Sequence, residues 1–368
     1  MSNIFGTLLS ILEFILAFGV LVFLHEFGHY IMSKLFGIQV EEFGFGFPPR
    51  LVKLFRFRET DFTLNWIPFG AFVRPKGEND PSVPGGLASA SPWARLAVLS
   101  AGSLMNLITG VVLFAIFFAR VGVPEADTTR VIIMGVSENT PAEAAGIRVD
   151  DIVASVNGEP INSTDELSTI VRANLGQQIA IELNRGGQMV QVTAVPRSDP
   201  PAGQGALGIT MSNPVLYRPT SLPDAVSNAG RVTYEQGRQL ISLPGRLIRG
   251  QVSPEEGRIV GPKGIFDIYQ SAREQDEEEL AAPQPKQTAG MNTFLLIATL
   301  SVALGYTNLL PIPALDGGRI LFVLPELLFR RRVPAQYENM IHLIGFALLI
   351  VLMIVVTSQD FINPISVP

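Results

Sequence analysis

Four stretches, roughly residues 4–24, 96–119, 292–312 and 339–357, are almost wholly apolar over about 20 residues each, the length that crosses a bilayer as a helix. Away from water such a segment must satisfy its own backbone N–H and C=O groups, so each is expected to be a membrane-spanning helix. Composition agrees: 47% of the 368 residues are hydrophobic and only 16% are charged, more apolar than an average soluble enzyme. The first stretch has no Lys or Arg in residues 1–6 and no small-residue cleavage site before Lys34. It therefore reads as a retained span and not as a signal peptide. The expected fold class is a polytopic α-helical membrane protein with four transmembrane helices.

Charge sets the orientation. Lys34, Arg50, Lys53, Arg56, Arg58, Arg74, Lys76 and Arg95 lie between the first two spans, and Arg330, Arg331 and Arg332 between the last two. Basic loops stay in the cytoplasm, so the N-terminus, the long segment 122–290 and the C-terminus are expected outside it. Trp93 and Arg95 read as interfacial anchors. The formal charge of -6 recommends no nucleic-acid partner. With no cysteine there is neither a disulfide framework nor a thiolate metal site, and any metal has to use His, Asp or Glu.

The chain divides into an N-terminal membrane part (1–121), a folded outer module (122–212), a helical segment with an acidic, Pro- and Gln-rich mobile tether (213–290) and a C-terminal membrane part (291–368). Inside the first, residues 43–73 alternate aromatic or aliphatic with polar side chains between Gly and Pro, as a β-hairpin does. So aromatic a hairpin is expected to dip into the membrane, where non-helical backbone must pack on protein or line a wet cavity. Its edge near Gly44 and Gly46 is a candidate for pairing with an unwound chain, although a hairpin that only plugs a cavity fits as well. The outer module combines short strands with one helix, TDELSTIVRANL, capped by Ser163 and Thr164. The run SENTPAEAAGIRVDDIVASVNGEPI, a helix, then strands ending near ALGI resembles a PDZ domain in the circularly permuted arrangement of bacterial proteases. The resemblance implies that the loop Ala206, Leu207, Gly208 and Ile209 presents N–H groups to peptide C-termini.

The chemistry sits at the end of the first span. His25, Glu26, Phe27, Gly28 and His29 spell H-E-x-x-H, and on a helix two His four apart share one face within reach of one Zn²⁺. Glu26 beside them can take a proton from a water. A chance match is the bland alternative, but the chain has only three His, and ionisable groups at the end of an apolar span are costly and usually functional. A catalytic zinc takes three protein ligands. Asp316, in NLLPIPALDGGR at the cytoplasmic end of the third span, lies at the depth of His25 and His29, although a turn or cap residue before Gly317 and Gly318 explains it too. Pro311 and Pro313 can interrupt that span and open a polar pocket near Asn308. The third histidine, His342, reads as an interhelical hydrogen bonder and not as a ligand. Glu13 lies about 18 Å above His25 by helical rise, too far to ligate.

HEFGH, GAFVRPKGE, PWARLAVLSAGSLMN, GPKGI and NLLPIPALDGGR together resemble the site-2 protease family of zinc intramembrane metalloproteases, in its RseP-type bacterial branch of sigma-E regulators. The resemblance spans nearly the whole chain. It implies one zinc per chain held by His25, His29 and Asp316, Glu26 as catalytic base and Asn308 in contact with substrate. It further implies the bacterial cytoplasmic membrane, and single-span membrane proteins as substrates: anti-sigma factors already trimmed outside, or remnant signal peptides. The outer module would then admit only substrates that have lost their bulky domain. Ser103 stands where the family usually has Pro, which bears on the bend of the second span. Two other classes stay open: a membrane adaptor with a vestigial metal site, and a membrane-anchored zinc peptidase for soluble peptides.

Overall fold

The computed structural model describes residues 2–201, 204–252, 257–283, 285 and 287–364. In chain order the first elements are α1 (Ser2–Leu35), β1 (Val40–Phe57), β2 (Thr60–Pro75) and α2 (Pro92–Val121). A run of short elements follows: β3 (Val123–Ala126), β4 (Val131–Val136), α3 (Pro141–Ala144), β5 (Ile152–Val156), β6 (Glu159–Pro160), α4 (Thr164–Ala173), β7 (Ile179–Arg185), β8 (Gln188–Ala194), β9 (Ile209–Ser212) and β10 (Val215–Arg218). Helices close the chain: α5 (Leu222–Ile248), α6 (Pro262–Ala281), α7 (Asn292–Leu309), α8 (Asp316–Phe329) and α9 (Ala335–Ile362). The chain forms two compact units, one from residues 1–121 and 220–368, the other Gly122–Pro219.

In the first unit α1 (from Gly6), α2, α7 and α9 are long and apolar enough to cross a membrane, four spans as expected. Between such helices there is little hydrophobic drive, so close packing depends on small side chains. A Cβ on Gly28 would overlap the carbonyl of Ala101 in α2, and one on Gly110 would overlap Val302 of α7. α2 is thereby the buried centre, and Ser103 sits fully buried in a helix that runs without interruption. α9 exposes Leu343, Leu348, Val351 and Ile354, a surface suited to hydrocarbon.

Three expectations need correction here. The third span stops at Leu309, and Asp316 opens a separate helix, α8, because Pro311 and Pro313 cannot continue α7. The acidic stretch from Ser271 is no tether as far as Ala281: it is the second half of α6, anchored where the Asp276 carboxylate accepts from the N–H groups of Asn292 and Thr293 at the start of α7. Of the remainder, residues 284 and 286 lie outside the described residues. Arg95 is no surface anchor either, being buried and paired with Glu326 of α8, whereas Trp93 is exposed. Glu13, unassigned from sequence, pairs with Arg273 of α6 at 3.2 Å.

The hairpin is more folded than a simple ribbon. Residues 40–45 pair with 71–75 on one side and with 61–64 on the other, and 50–57 pair back onto 60–65. Phe43, Ala71 and Val40 are buried against Phe23, Phe27 and Tyr30, which share one face of α1. Gly44 is therefore interior, not an edge: it is paired on both sides, and a Cβ there would overlap Phe72, whereas Gly46 lines a groove beside α1. The edge toward α1 is 71–75.

The second unit is a sheet ordered β8-β7-β5-β4-β9 with β6 on β5, closed over by α4. Its core is Ile133, Val156, Leu167, Ile179, Ile181 and Leu183, the inward positions of alternating strands and of one helix face. The unit runs past its expected end at 212 because β10 pairs with β3. Burial alone would raise the Asp151 carboxyl, but Arg185 and the Arg148 N–H donate to it and hold it below the usual carboxylate range.

Candidate metal centre

On α1, Phe23, Glu26, Phe27 and Tyr30 follow the i, i+3, i+4, i+7 pattern and face the hairpin, while His25 and His29 turn toward α2. The loop 310–315 then brings Asp316 back to the same point. His25 Nε2 and Asp316 Oδ2 are 3.1 Å apart, the two His Nε2 atoms 3.2 Å, and His29 Nε2 and Asp316 Oδ2 3.3 Å. These are the three residues among those described whose ligand atoms converge as a metal site requires.

The triangle fits a zinc ion by its size. Four ligands about 2.0 Å from a tetrahedral zinc stand about 3.3 Å apart along each edge, and all three edges here have that length. Two further observations agree. Gly102 of α2 faces the ligands, and a Cβ there would stand 2.7 Å from His25 Nε2 and closer still to His29 Nε2. His29 Nδ1 lies 2.7 Å from the carbonyl of Val98, so Nδ1 carries the proton and Nε2 is left with a lone pair for a metal.

His25 is oriented by a residue that sequence reasoning missed. Asn106 of α2 is buried, with Nδ2 3.4 Å from His25 Nδ1 and Oδ1 buried without a hydrogen-bond partner among the described residues. Rotating this amide by half a turn exchanges the two atoms, so that Oδ1 accepts from His25 Nδ1–H and the orphaned oxygen is satisfied. His25 Nε2 is then unprotonated, as a ligand must be. The signal was present in AGSLMN, a polar residue in an apolar span, but nothing local marked its partner.

Glu26 Oε2 accepts from the Val73 N–H at 3.0 Å, which ties the acid of the motif to the sheet edge 71–75. Asn308 lies in the last turn of α7 and is half-buried. His342 does not join the triangle and instead accepts from the Ala314 N–H at 2.9 Å. In the second unit Leu207 is buried in the core, Gly208 takes φ +76 with its N–H on the Gly205 carbonyl, and Ile209 opens β9.

Peptidase family M50 matches residues 13–352, which include both histidines and Asp316. The chain belongs to this family. Among its relatives, the zinc metalloprotease RasP of Oceanobacillus iheyensis is 30% identical over 95% of this chain and 98% of its own. The regulator of sigma-W protease RasP of Bacillus subtilis is 25% identical over 95% of this chain and 98% of its own. This M50 member is thus a zinc metalloprotease of the site-2 protease type, carrying helices fit for a bacterial membrane.

Proposed function

We propose that the chain is an intramembrane endopeptidase that cuts single-span membrane proteins, with one zinc ion held by His25, His29 and Asp316. The observation that carries this reading is the coincidence at one point of a zinc-sized triangle, an acid one residue away and a sheet edge bonded to that acid. Zinc bound there acts as a Lewis acid toward a water and a peptide carbonyl. Glu26 is the general base: Oε2 is held by Val73 and Oε1, without a partner among the described residues, takes the proton of the attacking water. Asn308, in the last turn of α7 just before the break at Pro311, is read as the donor to the substrate backbone.

A membrane helix hides its peptide bonds in i to i-4 hydrogen bonds, so a substrate has to unwind before it is cut. Edge 71–75 offers the replacement partners by strand addition. Beside it a groove of about 360 Å³ between α1 and the hairpin, lined by Leu16, Val20, Phe23, Phe45 and Leu64, suits an apolar segment approaching sideways. The basic loops support a topology with the hairpin and metal centre toward the cytoplasm and the second unit outside. That unit, read as a permuted PDZ-like domain with Leu207, Gly208 and Ile209 in its peptide loop, is a filter that excludes substrates still bearing a bulky outer domain. Trimmed anti-sigma factors and remnant signal peptides have the required form, and the sigma-W regulator among the relatives favours the first.

Glu26→Gln tests the reading. It should abolish cleavage of a reporter membrane span while zinc content stays at one per chain; unchanged cleavage removes Glu26 as the base. In detergent, the wild type should prefer a membrane-span substrate over a soluble peptide, and the opposite preference contradicts an intramembrane site.

A further inference from the structure

The backbone that delivers Asp316 to the metal centre is unusual. Two residues before it, Ala314 has φ +78, a left-handed conformation that a residue with a Cβ rarely adopts and keeps only where its surroundings hold it. α9 supplies that hold. The Ala314 N–H donates to His342 Nδ1 at 2.9 Å, and one turn along α9 Gly345 lies so close to Pro313 that a Cβ would overlap it. The His342 ring also lies 5.5 Å from the ring of Phe322 on α8, so one side chain contacts both the loop before Asp316 and the helix after it. Because Nδ1 accepts, the proton is on Nε2, which is buried with no hydrogen-bond partner among the described residues.

We propose that His342 is a positioning residue for the metal centre, its Nδ1 fixing the left-handed turn at Ala314 that aims Asp316 Oδ2 at His25 and His29. Released from this acceptor, Ala314 relaxes toward an ordinary φ, the chain leaves residue 315 in another direction, and Asp316 moves out of the triangle. This rests on the reading that the three residues bind zinc. It also explains why the third histidine of the chain sits near the metal centre without ligating.

The test uses the full chain in detergent and two readouts other than turnover: zinc affinity by competition with a chromophoric chelator, and the visible spectrum of the cobalt-substituted protein. His342→Leu removes the acceptor. His342→Asn keeps it, because Oδ1 of Asn occupies the place of Nδ1, whereas His342→Gln carries its oxygen one bond too far. The expected result is a loss of zinc affinity of about tenfold or more in the Leu and Gln variants. Their cobalt spectra should be altered, while the Asn variant returns to within about threefold of wild type. Wild-type affinity in His342→Leu, or an Asn variant as impaired as Leu, overturns the proposal. Asp316→Ala separates it from the underlying reading: zinc lost in Asp316→Ala but kept in His342→Leu defeats His342 alone, and zinc kept in Asp316→Ala defeats both.

Discussion

At the scale of single residues, the metal centre is shaped as much by an absent atom as by its ligands. Gly102→Ala adds one methyl against His25 Nε2 and His29 Nε2, and His29 cannot swing away without breaking its bond to the Val98 carbonyl. Alanine favours the α2 helix over glycine by about 1 kcal/mol, but overpacking against the pinned histidines costs about 1–3 kcal/mol, so the thermal midpoint should stay level or fall by a few degrees. Zinc affinity should fall by about tenfold or more, as measured by chelator competition; wild-type affinity would show that the ligands do not use this space. The contrast explains what was legible in advance. His25, Glu26 and His29 are spaced by a helix turn and announce themselves locally, and Asp316 was reachable from its depth in the membrane. Gly102, Asn106 and the Val98 carbonyl act only because α2 packs on α1, and a missing Cβ or a neighbour's backbone oxygen has no sequence pattern of its own.

At the scale of elements, length and hydropathy identified the spans because a bilayer imposes both, and alternation identified strands in the hairpin and the second unit. What they missed was pairing across distance. Nothing in the alternation says that 40–45 is flanked on both sides, which moves the available edge from Gly44 to 71–75. α8 is hidden in the sequence because Pro311 and Pro313 read equally as breaks within one span and as the boundary between two helices. The relocated edge is testable through Val73, whose N–H leaves the ladder to reach Glu26. Proline is tolerated on an edge where its missing N–H faces outward, so Val73→Pro should fold and keep zinc. Glu26 loses a hydrogen bond to a charged group, about 1.5–3 kcal/mol, and cleavage of a membrane-span reporter should fall by about 10- to 100-fold. Full activity would mean that neither Glu26 nor substrate uses this edge.

At the scale of the whole molecule, the second unit is inserted into the membrane unit in a way that makes its role separable. Its first strand β3 pairs with its last, β10, with Val123 opposite Arg218, so the chain enters and leaves the unit side by side. Partner residues in an antiparallel pair are about 5 Å apart, a gap that two or three flexible residues span. Residues 122–219 can therefore be replaced by a short Gly-Ser bridge between Val121 and Thr220 without pulling on α2 or α5. If the unit supplies filtering and not chemistry, the shortened chain should bind zinc as the wild type does and cleave a trimmed membrane substrate at a similar rate. It should also cleave the untrimmed substrate, bulky outer domain attached, which the wild type should refuse. Cleavage of the two substrates followed side by side, with zinc content as the control for an intact membrane unit, decides the matter. If the shortened chain holds zinc and still refuses the untrimmed substrate, selection lies in the membrane unit, at the groove beside α1 or the sheet edge. If it holds zinc and cuts neither, the second unit delivers substrate instead of excluding it.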